Sequence, residues 1–565
     1  MAGWYGSDLV VDRLAALGIE HLALNPGASI RGLHDSLVNP PGNAPELVLA
    51  MHEEIAVAIA HGYASATGRP MAVGLHDTVG LLHASMAIFN AWVDRAPILV
   101  FVGTGPLDAA NRRPWTDWIH TIGEQGALVR DFTVWNDQPT SLPAMLSSLP
   151  RAVGTALQAP GGPALLGFDV DLQEAEADSG MLEGVPVVFR PPARIAPDPA
   201  LVDELSRDLR AARRPLFIMD RPLGTAAAAA LVRLAELTGA AMLDLGAGAT
   251  FPVGHSHDVT EARKAATAAA DLLVFVEVRD PGYAMGRVDL GSRRIDSGWS
   301  GGPVASIGLS PLMSHAWMIT ESAGPARMDL IADPELALGA LIDAWGGTTR
   351  PLDAAFVVLA ATPPPALPES PADRRGLHRG WVATAVAEAL AGEDWVLANG
   401  IFGDWARRAL RWQHPSQFIG RSGGAGLGHG PAATVGAALG LKGSGAIVLD
   451  LQGDGDFMFT PQSLWTAAHH QLPLLMVIDA NRSYFQDEKH QREVAKHRGR
   501  PIENVGKGIE ISGPDVDHAV LARALGVAAE GPIRTMEELR PALARAVAQV
   551  KAGEPVLLDV RTSPG

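Results

Sequence analysis

AIVLDLQGDGDFMFTPQSLWTAAHHQLPLLMVIDANRSY, residues 446–484, is the stretch that decides the fold. Residues 446–451 form a short apolar run of β type that leads into Gly453-Asp454-Gly455-Asp456. Pro461 suits the first turn of the helix that follows, and residues 472–478 are a second apolar strand, ending at Asn481. A strand–helix–strand crossover makes its strands parallel, with both carboxyl ends at one edge. Asp454 and Asn481 therefore emerge side by side, at the edge where open α/β sheets bind ligands. Gly453 and Gly455 let the backbone approach a phosphate closely. The Asp454 carboxylate, the Asn481 amide oxygen and a backbone carbonyl near Ser483 are hard oxygen ligands. Such a set suits Mg²⁺, which keeps few protein ligands and shares the rest with a substrate diphosphate.

Outward from this unit, the 565 residues have room for three domains of roughly 180 residues each. Nearly half the residues are apolar and 61 are glycine, so a large core with many βα turns is possible. The net charge of −17 and the lack of any Lys/Arg-rich run argue against nucleic acid or an anionic membrane as partner. The absence of cysteine excludes disulfides, cysteine-ligated iron–sulfur clusters and thiol nucleophiles. No apolar run reaches the ~20 residues of a membrane span. The first residues lack the basic flank and apolar core of a signal peptide, so a cytoplasmic protein is expected. No Walker loop or Cys/His metal spacing is present.

Strands and helices alternate through the first third of the chain, as in a doubly wound parallel domain. The pattern predicts helices over 7–18, up to 37, 53–68 and 80–93, and strands at 21–24, 47–51, 71–75 and 98–102. Residues 188–200 read as a Pro-rich linker, and a second α/β block has strands at 216–219, 242–245, 272–278 and 305–309. Residues 349–375, with TPPPALPESPAD, read as an extended, exposed linker before a third block that holds the opening motif. The expected architecture is three doubly wound α/β domains, at 1–185, 200–348 and 376–565.

Gly-Asp-Gly followed 27 residues after Asp454 by Asn481, with Ser483 two residues on, resembles the Mg²⁺–diphosphate motif of thiamine diphosphate (ThDP) enzymes. Members often have Asn-Asn where this chain has Ala480-Asn481. The resemblance implies pyrimidine-binding, middle and diphosphate-binding domains in that order, with ThDP and Mg²⁺ held by Gly453, Asp454, Gly455, Asp456, Asn481 and Ser483. It also implies a homodimer or homotetramer whose sites lie between subunits. HEEIAVAIAHGYASATG, from His52, is similar to the family's catalytic-glutamate segment and maps that role onto Glu53. There the carboxyl group would sit against N1′ of the aminopyrimidine, favouring the imino tautomer that generates the C2 ylid. Glu54 would instead stabilise the helix dipole. Leu427 in GGAGLGHGPAATVG falls where the family places an apolar side chain under the cofactor, to bend it.

Within the family, Asn25-Pro26-Gly27 and His76 resemble benzoylformate decarboxylases, and His76 would serve in proton transfer. The substrate-binding serine of that group falls on Ala28, with Ser29 adjacent, and its second histidine falls on Glu277. A carboxylate at Glu277 would remove a proton donor and repel an anionic substrate. Asp487, Glu488, His490 and Gln491, in the charged run 482–500, either contact substrate or form a solvated helix. Trp115 and Trp118 read as packing residues, and His469 and His470 as surface residues. The implied activity is Mg²⁺- and ThDP-dependent decarboxylation of a 2-oxo acid through an enamine. Alternatives are an acetolactate-synthase-like carboligase, a lyase acting on an acyloin or diketone, and a ThDP-binding protein without catalysis. Acetolactate synthases often carry FAD in the middle domain, and this sequence holds no specific FAD signal.

Overall fold

The parallel unit around Asp454 sits inside the last of three large parallel sheets. The computed structural model describes residues 3–184, 193–288, 295–296, 298–299, 301–313, 328–373 and 375–563. The first part of the expected 188–200 linker lies outside the described residues.

The N-terminal sheet comprises β1 (His21–Leu24), β2 (Glu46–Leu49), β3 (Met71–His76), β4 (Ile98–Thr104), β5 (Trp135–Asp137) and β6 (Ala164–Asp169), all parallel, in the order β2-β1-β3-β4-β6-β5. The central sheet, also parallel, has β7 (Pro215–Met219), β8 (Ala241–Asp244), β9 (Leu272–Val276), β10 (Val304–Gly308) and β11 (Met328–Ile331), in the order β8-β7-β9-β10-β11. The C-terminal sheet has β12 (Leu377–His378), β13 (Trp395–Gly400), β14 (Ile447–Gly453), β15 (Leu475–Ala480), β16 (Ala528–Ile533) and β17 (Val556–Ser563). Its order is β12-β17-β15-β14-β13, with β16 also beside β17. Order reversals within each sheet are those of doubly wound α/β folds, as the alternating pattern predicts. Both central strands β4 and β15 are fully buried, which explains why they read as unbroken apolar runs.

Two helices join the outer sheets. Helix α1 (Glu53–Thr67) follows β2, and α2 (Asp77–Val93) follows β3. Helix α3 (His429–Gly440) precedes β14. Helices α1 and α3 meet backbone to backbone: a Cβ built on Gly62 would stand 1.9 Å from the Ala433 carbonyl oxygen, and one on Gly436 would stand 1.9 Å from that of Ile59. One apolar cluster consequently runs through both sheets, from Val73 and Val100 to Val448 and Ile478. Arg407, almost fully buried, ties the C-terminal sheet to the central one through Asp258 and Glu261.

Three expectations are corrected. Asp454–Phe457 is itself a helical turn, α4, and the crossover helix α5 (Ser463–His469) begins two residues after Pro461, which lies in a turn. The second strand starts at Leu475 rather than 472, because Pro473 has no N–H for the ladder and Leu472 N–H closes the preceding turn on Ala467. Within the supposed extended linker, Ala354–Ala360 forms a helix capped by Asp353, with Phe356 fully buried against the central sheet. No described helix is long and apolar enough to cross a membrane.

Candidate active site

Asp454, Asn481 and Ser483 lie at the carboxyl ends of the paired strands β14 and β15, the edge where their residues come together. Asp454 is 2% exposed. Its Oδ1 accepts the Gly455 N–H at 2.8 Å, and its Oδ2 accepts the Arg482 N–H at 2.5 Å, so the carboxylate is clamped across both loops. Asn481 Oδ1 accepts the Ser483 N–H at 2.9 Å. The Ser483 hydroxyl donates to Glu488 at 3.2 Å, which leaves its carbonyl as the oxygen for a ligand. Burial, reinforced by the Asp479 charge, pushes the Asp454 carboxyl up to about 6. A divalent cation beside it would compensate that buried charge. A cavity of about 1040 Å³ opens on this edge, lined by Gly453, Asp454, Gly455, Asp456, Asn481 and Ser483. Leu427, 40% exposed, faces the same space. The glycines make room: a Cβ on Gly455 would meet the Tyr484 ring at 2.7 Å, and one on Gly453 would meet Ile401 at 2.3 Å. An oxygen donor set, a glycine-walled loop and an apolar projection fit Mg²⁺ and a diphosphate cofactor. Asp456 has another task, since its carboxylate accepts from Gln452 Nε2 and from the Gly428 N–H, fixing the loop that carries Leu427.

A second group of polar side chains gathers at the carboxyl edge of the N-terminal sheet. Glu53 opens α1 and is 8% exposed. His52 caps that helix, its Nδ1 accepting the Glu54 N–H at 3.2 Å. His76 ends β3 and accepts or donates with Ser29 Oγ at 2.8 Å. Gly27 is required there, because a Cβ on it would lie 2.4 Å from the His76 ring. Burial lowers the His76 pKa, against the opposing pull of Asp77. Asn25, Pro26 and Gly27 form the turn after β1 that brings Ser29 to His76. Ser29, not Ala28, faces the histidine. Ala28 is exposed and its carbonyl accepts from Arg31. Glu54 approaches the C-terminal sheet instead: Gly428 built as alanine would place its Cβ 3.6 Å from Glu54 Oε1. Burial and then Asp456 raise its pKa, which puts Glu54 in an interdomain contact beyond the helix-dipole role expected of it.

Other candidates fall elsewhere. Glu277 is 4% exposed and bound by Arg95 at 3.0 Å, the Leu309 N–H at 2.8 Å and the Ser310 hydroxyl at 3.1 Å. It lines a different cavity, of about 420 Å³, with His61, Asp94, Arg221 and His429. A carboxylate so satisfied is a structural anchor, and the expected repulsion of substrate has no geometric basis. Helix α6 (Phe485–His497) divides the charged run by its rotation. Asp487 lines the larger cavity, Glu488 is buried against Ser483 and Arg492, and His490 and Gln491 are exposed, His490 paired with Gln486. Trp115 and Trp118 are 74% and 67% exposed, so in this chain they do not pack. His469 is exposed, but His470 accepts the Leu49 N–H at 3.1 Å and joins the outer sheets. Sequence reasoning missed His83, whose Nδ1 lies 3.2 Å from Glu53 Oε2. Its spacing of seven from His76 was the available signal, once helix α2 is seen to start at residue 77.

Models of the thiamine pyrophosphate enzymes match both ends of the chain: the N-terminal TPP binding domain over residues 5–128 and the C-terminal TPP binding domain over 398–560. The chain belongs to this family and is a ThDP-dependent enzyme. More particularly, it is similar to the benzoylformate decarboxylase of Pseudomonas aeruginosa, 27% identical over 531 residues that cover 91% of either chain. A probable chloroplastic acetolactate synthase 2 of Oryza sativa subsp. japonica is 24% identical over 602 residues, covering 98% of this chain and 82% of that one. The fold is shared with the crystal structure of benzoylformate decarboxylase from Polynucleobacter necessarius, at a TM-score of 0.80, 22% identity and coverage of 100% and 99%.

Proposed function

We propose that the protein catalyses the Mg²⁺- and ThDP-dependent, non-oxidative decarboxylation of a 2-oxo acid, releasing CO₂ and an aldehyde. The observation that carries this reading is the cavity edge of Asp454, Asn481, Ser483 and Leu427, an oxygen-ligand set beside an apolar support. When bound, ThDP supplies the electron sink for loss of CO₂. Asp454, Asn481 and the Ser483 carbonyl would hold the metal, and Leu427 would support the cofactor. Glu53 holds a proton in a nearly closed pocket, and His76, oriented by Ser29, delivers or removes one at the product carbon. The domain limits proposed are 1–185, 200–348 and 376–565, each enclosing one of the three large sheets.

The larger cavity has no lining residue before Asp244, so neither Glu53 nor His76 opens on it within one chain. This supports a homodimer or dimer-based tetramer in which a second copy brings Glu53 to Asp454. Mixing the inactive variants Glu53→Gln and Asp454→Asn should then restore about a quarter of the wild-type rate, because half of reassorted dimers are mixed and each carries one intact site.

A second reading, carboligation, is favoured by one observation. Among the described residues, no histidine of the same chain lines the larger cavity and Glu277 brings none from the central sheet, so His76 of a second copy would be the one imidazole available to protonate there. An intermediate protonated slowly has time to attack a second carbonyl compound. Incubation of Mg²⁺/ThDP-loaded protein with a panel of 2-oxo acids, read by NMR and CO₂ release, decides. Equal CO₂ and aldehyde support the decarboxylase; an acyloin or a 2-hydroxy-2-acyl acid transfers the assignment to the carboligase. Turnover of no acid, with cofactor bound, refutes both.

A further inference from the structure

The surroundings of Glu53 hold a device that rests on the catalytic role proposed for it. Glu53 Oε2 lies 3.2 Å from His83 Nδ1, and its Oε1 lies against α2, 3.3 Å from a Cβ built at Gly80. Gly80 and His83 are one turn apart on α2, so this helix offers Glu53 a close floor and a polar wall. Among the described residues, His83 is the one side chain hydrogen-bonded to the Glu53 carboxyl. The His83 side chain is 58% exposed, yet its ring is fixed from the other side by stacking on His52, with centroids 4.8 Å apart and planes 22° apart. His52 is itself held as the cap of α1. The ligand atoms of His52, Glu53 and His83 lie within 4.8 Å of one another, as in a cation site. However, His52 Nδ1 is engaged by the Glu54 N–H, and the two rings lie nearly parallel, which suits a clamp better than chelation.

We propose that His83 is the positioning residue of Glu53: clamped between His52 and the carboxyl group, it fixes the carboxyl orientation. The charged and titratable groups facing His83 are Glu53, His52 and Glu54 at the start of α1, with Asp456 of the C-terminal sheet behind Glu54. A carboxyl free to rotate spends less time in the productive geometry.

Two measurements test this. In cofactor-free protein labelled with ¹⁵N-histidine, the ring signals lost in His83→Gln identify His83. In Glu53→Gln, the His83 ring-nitrogen chemical shifts should move at constant pH, because the hydrogen bond to the carboxylate is gone; unchanged shifts overturn the proposal. In Mg²⁺/ThDP-loaded protein, His83→Ala should slow hydrogen–deuterium exchange at the cofactor C2 by about tenfold, leaving cofactor affinity within about twofold. His83→Gln, which retains a hydrogen-bond donor, should recover most of the rate. Exchange in His83→Ala as fast as in wild type overturns the proposal. If wild-type protein exchanges nothing, the proposed catalytic function fails, while the cofactor-free ring signals still decide whether the pair exists.

Discussion

Gly62→Ala should loosen the joint between the two cofactor-binding sheets. The added methyl would lie 1.9 Å from the Ala433 carbonyl oxygen, 2.6 Å from its carbonyl carbon and 2.7 Å from its Cα, whereas Cβ contacts below 3.0 Å essentially never occur. All three obstructing atoms are backbone, so no side chain can rotate away. Helices α1 and α3 must separate, and Gly436, whose own Cβ position faces the Ile59 carbonyl, loses its fit in the same movement. Overpacking of this kind costs about 1–3 kcal/mol, here at the upper end. Alanine's better helix propensity returns about 1 kcal/mol. A net loss of about 2 kcal/mol remains, or about 4–8 °C in Tm for a unit of this size. Tryptophan fluorescence at a fixed heating rate measures it, since a chain of this length is apt to unfold irreversibly. Gly339→Ala is the matched control: in the helix Pro334–Trp345 its Cβ meets nothing within 4 Å, so it should gain about 0.5–1 kcal/mol. Because Glu53 stands at the head of α1, Gly62→Ala should also lower kcat. A Tm for Gly62→Ala at or above wild type would refute the close-approach argument.

Asp454→Asn keeps the shape of the loop but removes a charged metal ligand, and Mg²⁺-dependent ThDP affinity by calorimetry should fall by more than about 100-fold. Ser29→Ala removes the hydroxyl partner of His76, worth about 1 kcal/mol, and should change the pH profile of kcat, while Ala28→Ser, at an exposed position, should leave it unchanged. Burial raises the Asp450 carboxyl to about 7. The folded state therefore takes up that proton well before the unfolded chain does near ~4. Stability owed to this group rises as pH falls through about 7 and is complete near ~4, by at most about 1.4 kcal/mol per pH unit. Asp450→Asn cannot titrate, so wild type should gain on it in Tm between pH 8 and pH 5; a constant difference would sink this account.

What was legible in the sequence is what depends on neighbours in the chain. Gly453-Asp454-Gly455 and Asn481 could be paired across 27 residues because a crossover forces two parallel strands to end at one edge. Glu53 was legible because β2 hands over to α1 within a few residues. What was illegible depends on rotation and on partners distant in sequence. Glu277 follows β9 in a left-handed conformation, φ 51°, which turns its carboxylate toward Arg95 of another sheet, a partner no local pattern could name. The helix Ala354–Ala360 was hidden among prolines because seven residues show too little periodicity, and only the burial of Phe356 reveals its inner face. The charged run after Asn481 makes the point most sharply. Its composition allowed either a solvated helix or a substrate wall, and α6 turns one face to water and another to the cavity. Successive residues turn by 100°, so Asp487 reaches the cavity, Glu488 locks Ser483 from within, and His490 points to water. Composition gave the helix its charge, and the phase set by Ser483 chose which charges face the cavity.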